Sequence, residues 1–112
     1  MLITHCAPDA PIPPWATGPL VSITRTADEL SVVCDDDSVP DGVFVWRDFA
    51  ALRVAGKIDF GVVGLLATLT RALADGGVSV FAVSTFDTDY LLVPTRDYDR
   101  AIHALSKVAT VA

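Results

Sequence analysis

The chain has 112 residues, enough for one domain or for two very small halves sharing a core. Its formal charge of −6, without a basic patch, excludes nucleic-acid binding driven by phosphate neutralisation and disfavours anionic membranes. An apolar content of 52% with a mean hydropathy of +0.49 is high for a small soluble monomer, and predicts a homodimer or larger assembly.

In chain order, residues 1–6 read as a short strand. Pro8, Pro11, Pro13, Pro14 and Pro19 then forbid regular structure over 7–19, with Trp15 as the anchor that pins the segment to the core. Residues 20–25 read as a strand. Residues 26–30 read as a single helical turn, with Thr26 as N-cap and Glu29 as its capping-box partner. Residues 31–34 return as a strand, Asp35, Asp36 and Asp37 form a solvated turn, and 43–46 are extended. The two cysteines, Cys6 and Cys34, fall in apolar strand-like runs and read as reduced core thiols.

Residues 50–55 form the next strand. A helix opens at Phe60, with Asp59 as N-cap and Val62, Leu65, Leu66, Leu69 and Leu73 as its apolar stripe. Gly76 and Gly77 end it. A strand over 78–86, a turn at Asp87, Thr88, Asp89 and Tyr90, and a strand over 91–93 follow. A last helix near 95–108 buries Tyr98, Ala101, Ile102, Leu105 and Val108 and leaves His103 in solvent. Residues 109–112 add a final short strand. The order β-α-β-β-α, completed by that strand, is a ferredoxin-like α+β arrangement. Its business end is the turn at the start of the first helix, facing the turn at 85–89.

The chemistry available is restricted. The chain has no Asn and no Gln, so a polar site must use hydroxyls, carboxylates, Arg, His, Tyr or backbone groups. There is no GxGxxG, Walker, HExxH or GxSxG sequence and no CxxC, so no catalytic residue, metal site or cofactor is expected. The D-x-D of Asp87 and Asp89 reads as turn chemistry rather than metal ligation. Acylphosphatases share the shape but rely on an asparagine, which is absent here. RNA-recognition domains need sheet aromatics beside basic residues, and 78–86 holds no basic residue. The run from Phe60 to Leu69 is too short to span a membrane, and no basic stretch precedes an apolar run at the start, so a cytoplasmic location is expected.

Three stretches carry a resemblance: T-A-D-E-L-S-V-V-C at 26–34, Asp59-Phe60 followed by Gly64, and above all S-T-F-D-T-D-Y-L-L-V at 84–93. Together they resemble ACT-domain proteins of the CASTOR-like kind, small relatives of animal arginine sensors, over nearly the whole chain. The resemblance implies an antiparallel sheet with helices on one face and two ACT-like halves: a reduced one at 1–46 and a fuller one at 49–112. It implies a regulatory, non-catalytic module that binds an amino acid or similar effector where ACT units meet, with a protein partner reading the bound form. The alternative is a ligand-free interaction module of the same fold. The ligand positions it implies are Phe60, Gly61, Val62, Gly64, Thr85, Phe86 and Asp89. An amino-acid carboxylate would suit amides at the helix start, and an ammonium would suit Asp89. Where the animal arginine sensors carry a glutamate this chain has Val62. A buried guanidinium without a carboxylate is costly, which favours a smaller or more apolar amino acid over arginine.

Overall fold

The computed structural model describes residues 1–35, 39–54 and 64–109. The chain divides into two compact units, Met1–Asp48 and Phe49–Ala112, each with its own apolar cluster.

The first unit is built on four strands: β1 (Leu2–Cys6), β2 (Ser22–Arg25), β3 (Leu30–Cys34) and β4 (Val45–Trp46). They form one sheet in the order β2-β3-β1-β4, with every pairing antiparallel. The register sets Leu2 against Cys34, Thr4 against Val32 and Cys6 against Leu30. Side chains alternate along a strand, so these six share a face. Leu2, Leu30, Val32 and Cys34 are its buried centre, and Ala10, Trp15 and Ala16 from the proline-rich segment pack onto it. Trp15 is thus the anchor expected of it. Cys6 and Cys34 sit at opposite ends of the β1–β3 ladder, roughly 13 Å apart at ~3.3 Å per residue, and no disulfide joins them.

One expectation in this unit is corrected. Residues 26–29 are a hairpin turn, not a helical turn. The Thr26 N–H donates to the Glu29 carbonyl at 2.9 Å, and Thr26 Oγ1 accepts from the amides of Asp28 and Glu29, both at 3.1 Å. The hydroxyl does what an N-cap would do. The Arg25–Leu30 strand pair, however, closes the chain before a helix can begin.

The second unit runs β5 (Phe49–Arg53), α1 (Leu65–Asp75), β6 (Phe81–Ser84), β7 (Asp89–Pro94), a 3-10 turn (Thr95–Asp97) and α2 (Tyr98–Ser106). The sheet order is β5-β7-β6, with β7 antiparallel to both neighbours. Strands β5 and β6 therefore point the same way, and α1 crosses between them, which is the ferredoxin-like β-α-β-β-α order. Leu91 and Val93 on one face of β7 join Leu69 and Leu73 of α1 and Ala101 and Leu105 of α2 in a single cluster. Both helices thus cover the same side of the sheet.

Gly77 ends α1 in the left-handed region at φ 74. The amide of Val78 reaches back to the Leu73 carbonyl at 2.9 Å and that of Gly77 to the Ala74 carbonyl at 3.0 Å. This is the paired closure that a glycine after a helix permits, and Val78 and Leu73 are both buried beside it. Arg100 of α2 donates to the Gly77 carbonyl at 3.3 Å and to Asp97 Oδ1 at 2.8 Å, tying the two helices' ends.

Three boundaries differ from expectation. The described helix begins at Leu65, because Gly64 stands at φ 88 and a left-handed residue cannot lie inside a right-handed helix. The proposed Asp59 cap and the start at Phe60 fall outside the described residues. The strand expected over 78–86 pairs only through Phe81–Ser84, and β7 begins at Asp89. The turn is therefore residues 85–88, two positions earlier than expected. In α2 the buried face is Ala101, Ala104 and Leu105, while Tyr98 and Val108 are exposed and the first turn is 3-10. His103 is exposed, as expected.

Candidate functional site

The Thr85 side chain closes the turn at 85–88. The Thr85 N–H donates to the Thr88 carbonyl at 2.8 Å. Thr85 Oγ1 accepts the Thr88 N–H at 3.2 Å and donates to the Thr88 carbonyl at 3.1 Å. A hydroxyl that mimics a turn's own backbone bonds is the chemistry of Ser and Thr in such loops. The Thr85 hydroxyl is thereby committed to the turn. Phe86 stands at the tip with its side chain wholly in solvent, 102% exposed. The resemblance implies Phe86 as a ligand contact, and in this structure its ring is not part of the core.

Immediately after the turn, Asp89 pairs with Ser84 and its Oδ1 accepts the Ser84 hydroxyl at 2.6 Å. That bond fixes the carboxylate's direction at the start of β7. Asp89 shares its strand face with Leu91 and Val93, so it lies on the side the helices cover.

Val54, one residue past β5, meets both ends of this arrangement. Its N–H donates to the Asp89 carbonyl at 3.0 Å, and its carbonyl accepts the Thr88 hydroxyl at 2.8 Å. The end of β5, the end of β6 and the start of β7 thus meet at one end of the sheet. The end of α1 leads into β6 from the opposite end, so the topology turns the Gly64 end of α1 toward this one. Gly64 itself has open space where a Cβ would stand, and its carbonyl accepts the Thr68 amide at 2.9 Å. Close helix packing is therefore not the reason for this glycine; its backbone angle is.

Of the seven residues implied as ligand contacts, the structure gathers Thr85, Phe86 and Asp89 in one hairpin and sets Gly64 at the head of α1. Phe60, Gly61 and Val62 lie outside the described residues. Sequence reading overlooked Thr88, Ser84 and Val54 as partners in this arrangement. The signal for Thr88 was a second threonine three residues after Thr85, in a stretch read only as a turn. The described ion pairs of this unit lie elsewhere, at Arg71–Asp75 and at Arg96 and Arg100 with Asp97. What this end of the sheet offers is an oriented carboxylate, suited to an ammonium or another hydrogen-bond donor. Among the described residues no group of three His, Cys, Asp or Glu is placed to hold a metal ion. No described helix is long and apolar enough to cross a membrane.

Residues 45–107 match the family described as ACT domain, and residues 3–42 match a second family, described as an N-terminal domain. The human protein CASTOR3P is 27% identical in an alignment covering 80% of this chain and 63% of its own length. The chain thus spans less than two thirds of that relative. The crystal structure of the Agobacterium tumefaciens protein Atu0741 superposes with a TM-score of 0.88 at 36% identity, covering 95% of this chain and 80% of the other. The Vibrio cholerae protein VC0802, at 18% identity, shares the fold with a TM-score of 0.76 over 97% of this chain and 84% of its own. With a family match over more than half its length, on the strand and helix order just described, the chain belongs to the ACT-domain family and is of the CASTOR-like type.

Proposed function

We propose that this protein is a non-catalytic regulatory module that binds an amino acid or a similar small effector where two ACT units meet. The observation that supports this most is the oriented Asp89 carboxylate, held by Ser84 beside the hairpin at 85–88. In this reading Asp89 receives the effector's ammonium, Gly64 leaves room at the head of α1, and the Thr85 backbone and Phe86 ring complete the wall. The resemblance adds Phe60, Gly61 and Val62, which lie outside the described residues, as further effector contacts. Residues 1–46 serve as a reduced ACT-like half and 49–112 as the full one. The working form is a cytoplasmic homodimer whose effector-bound state a protein partner reads.

Calorimetric titration of the wild type and of Asp89→Ala with each of the twenty L-amino acids tests the site. A hydrogen bond to a charged group contributes about 1.5–3 kcal/mol, so Asp89→Ala should weaken the responding amino acid at least tenfold. Equal affinity in the variant would remove Asp89 from the site.

A second reading, an interaction module with no effector, draws on the full exposure of Phe86 and of Phe44 and Trp46 in the first unit, at 68% and 60%. Large exposed aromatics are enriched where proteins meet. Under that reading Phe86→Ala weakens a protein contact, and no amino acid binds the wild type.

A further inference from the structure

Thr88 is the buried member of the turn at 85–88, only 8% exposed, while Thr85, Phe86 and Asp87 are exposed. The turn does not need its side chain. Closure uses the Thr85 hydroxyl and the backbone of Thr88, which any residue could supply. A buried hydroxyl requires a partner, and this one takes the carbonyl of Val54, 34 residues away in sequence, at 2.8 Å. The next residue, Asp89, takes the Val54 N–H. Both polar backbone groups of Val54 are therefore held by two consecutive residues of the hairpin.

We infer that Thr88 is the positioning residue of the effector site. Its hydroxyl extends the β5–β7 ladder by one bond past the end of β5, ahead of the first residue of β7. It thereby fixes the hairpin that carries Asp89 against the point where the chain leaves β5. The inference rests on the effector-binding reading above. Loss of the hydroxyl leaves the turn closed by Thr85 but removes one of the hairpin's two bonds to Val54, so the Val54 N–H to Asp89 carbonyl bond must hold that end of the ladder alone. The carboxylate then keeps its chemistry and loses its position.

The test compares Thr88→Val, which keeps the shape and removes the hydroxyl, with Thr88→Ser, which keeps the hydroxyl. In the ligand-free protein, Thr88→Val should raise hydrogen exchange at the Val54 amide about tenfold and leave the Thr88 amide, inside the turn, near wild type. Titration with the twenty L-amino acids should show the responding one bound about tenfold more weakly by Thr88→Val and within about threefold of wild type by Thr88→Ser. Unchanged exchange at Val54, wild-type affinity in Thr88→Val, or a Thr88→Ser as weak as Thr88→Val would each overturn the assignment. A wild type that binds none of the twenty overturns the effector reading instead, and Thr88's part in binding with it.

Discussion

Gly64 and Gly42 separate two reasons for a glycine. Both adopt left-handed backbone, at φ 88 and φ 89, and both have open space where a Cβ would stand. Replacing either by alanine should cost about 1 kcal/mol of stability from backbone conformation alone. Denaturant unfolding of Gly64→Ala and Gly42→Ala checks that figure, and a change below ~0.3 kcal/mol at Gly64 would contradict the assigned backbone. If Gly64 also borders the effector, Gly64→Ala alone weakens amino-acid binding. The sequence marked Gly64 as a ligand contact implied by the resemblance. It could not show the sign of φ. Similarly, the polar run from Ser84 to Asp89 was legible as a turn. Which residues pair last depended on where the Thr85 hydroxyl finds its partner, and alternation alone does not reveal that.

At the scale of elements, α1 was readable because its leucines recur at helical spacing. Leu69 and Leu73 are buried against β7 and α2, and Leu65 and Leu66 are packed beside them. Leu73→Ala should destabilise the second unit by about 2–5 kcal/mol, since Leu73 is fully buried and its neighbours come from several elements. A loss below ~1 kcal/mol in denaturant unfolding would contradict that packing. The start of α1 was less legible. The apolar run from Val62 through Leu66 continues the helical pattern straight across Gly64, so periodicity placed no break there. In α2 the pattern placed Tyr98, Ile102 and Val108 with Ala101 and Leu105 on the apolar face, whereas the buried face runs through Ala101, Ala104 and Leu105. The turn after β2 shows the same limit. Thr26 followed by Glu29 is a helix-start signal, yet pairing of β2 with β3 used the same hydroxyl to close a hairpin.

At the scale of the whole molecule, composition already indicated more apolar surface than one small chain covers. The structure locates part of it in exposed Phe44 and Trp46 of the first unit and in Phe86 and Tyr98 of the second. Sedimentation equilibrium should return twice the 11.9 kDa of one chain, and a mass of 11.9 kDa at micromolar concentration would contradict the dimer. The fold order was legible in the apolar patterns from residue 50 onward, and the family in the motif at 84–93. The identity of an effector was not, because the sequence does not contain the ligand whose side chain a site would have to fit. The most direct test is a thermal-unfolding screen of the wild type against each of the twenty L-amino acids. An effector at about 100 times its dissociation constant adds roughly 2.7 kcal/mol to the folded state. For a domain of this size that is a rise on the order of 10 °C. We predict such a rise for one or a few amino acids, lost in Asp89→Ala. A flat response to all twenty would contradict the effector-binding account and leave the interaction module in its place.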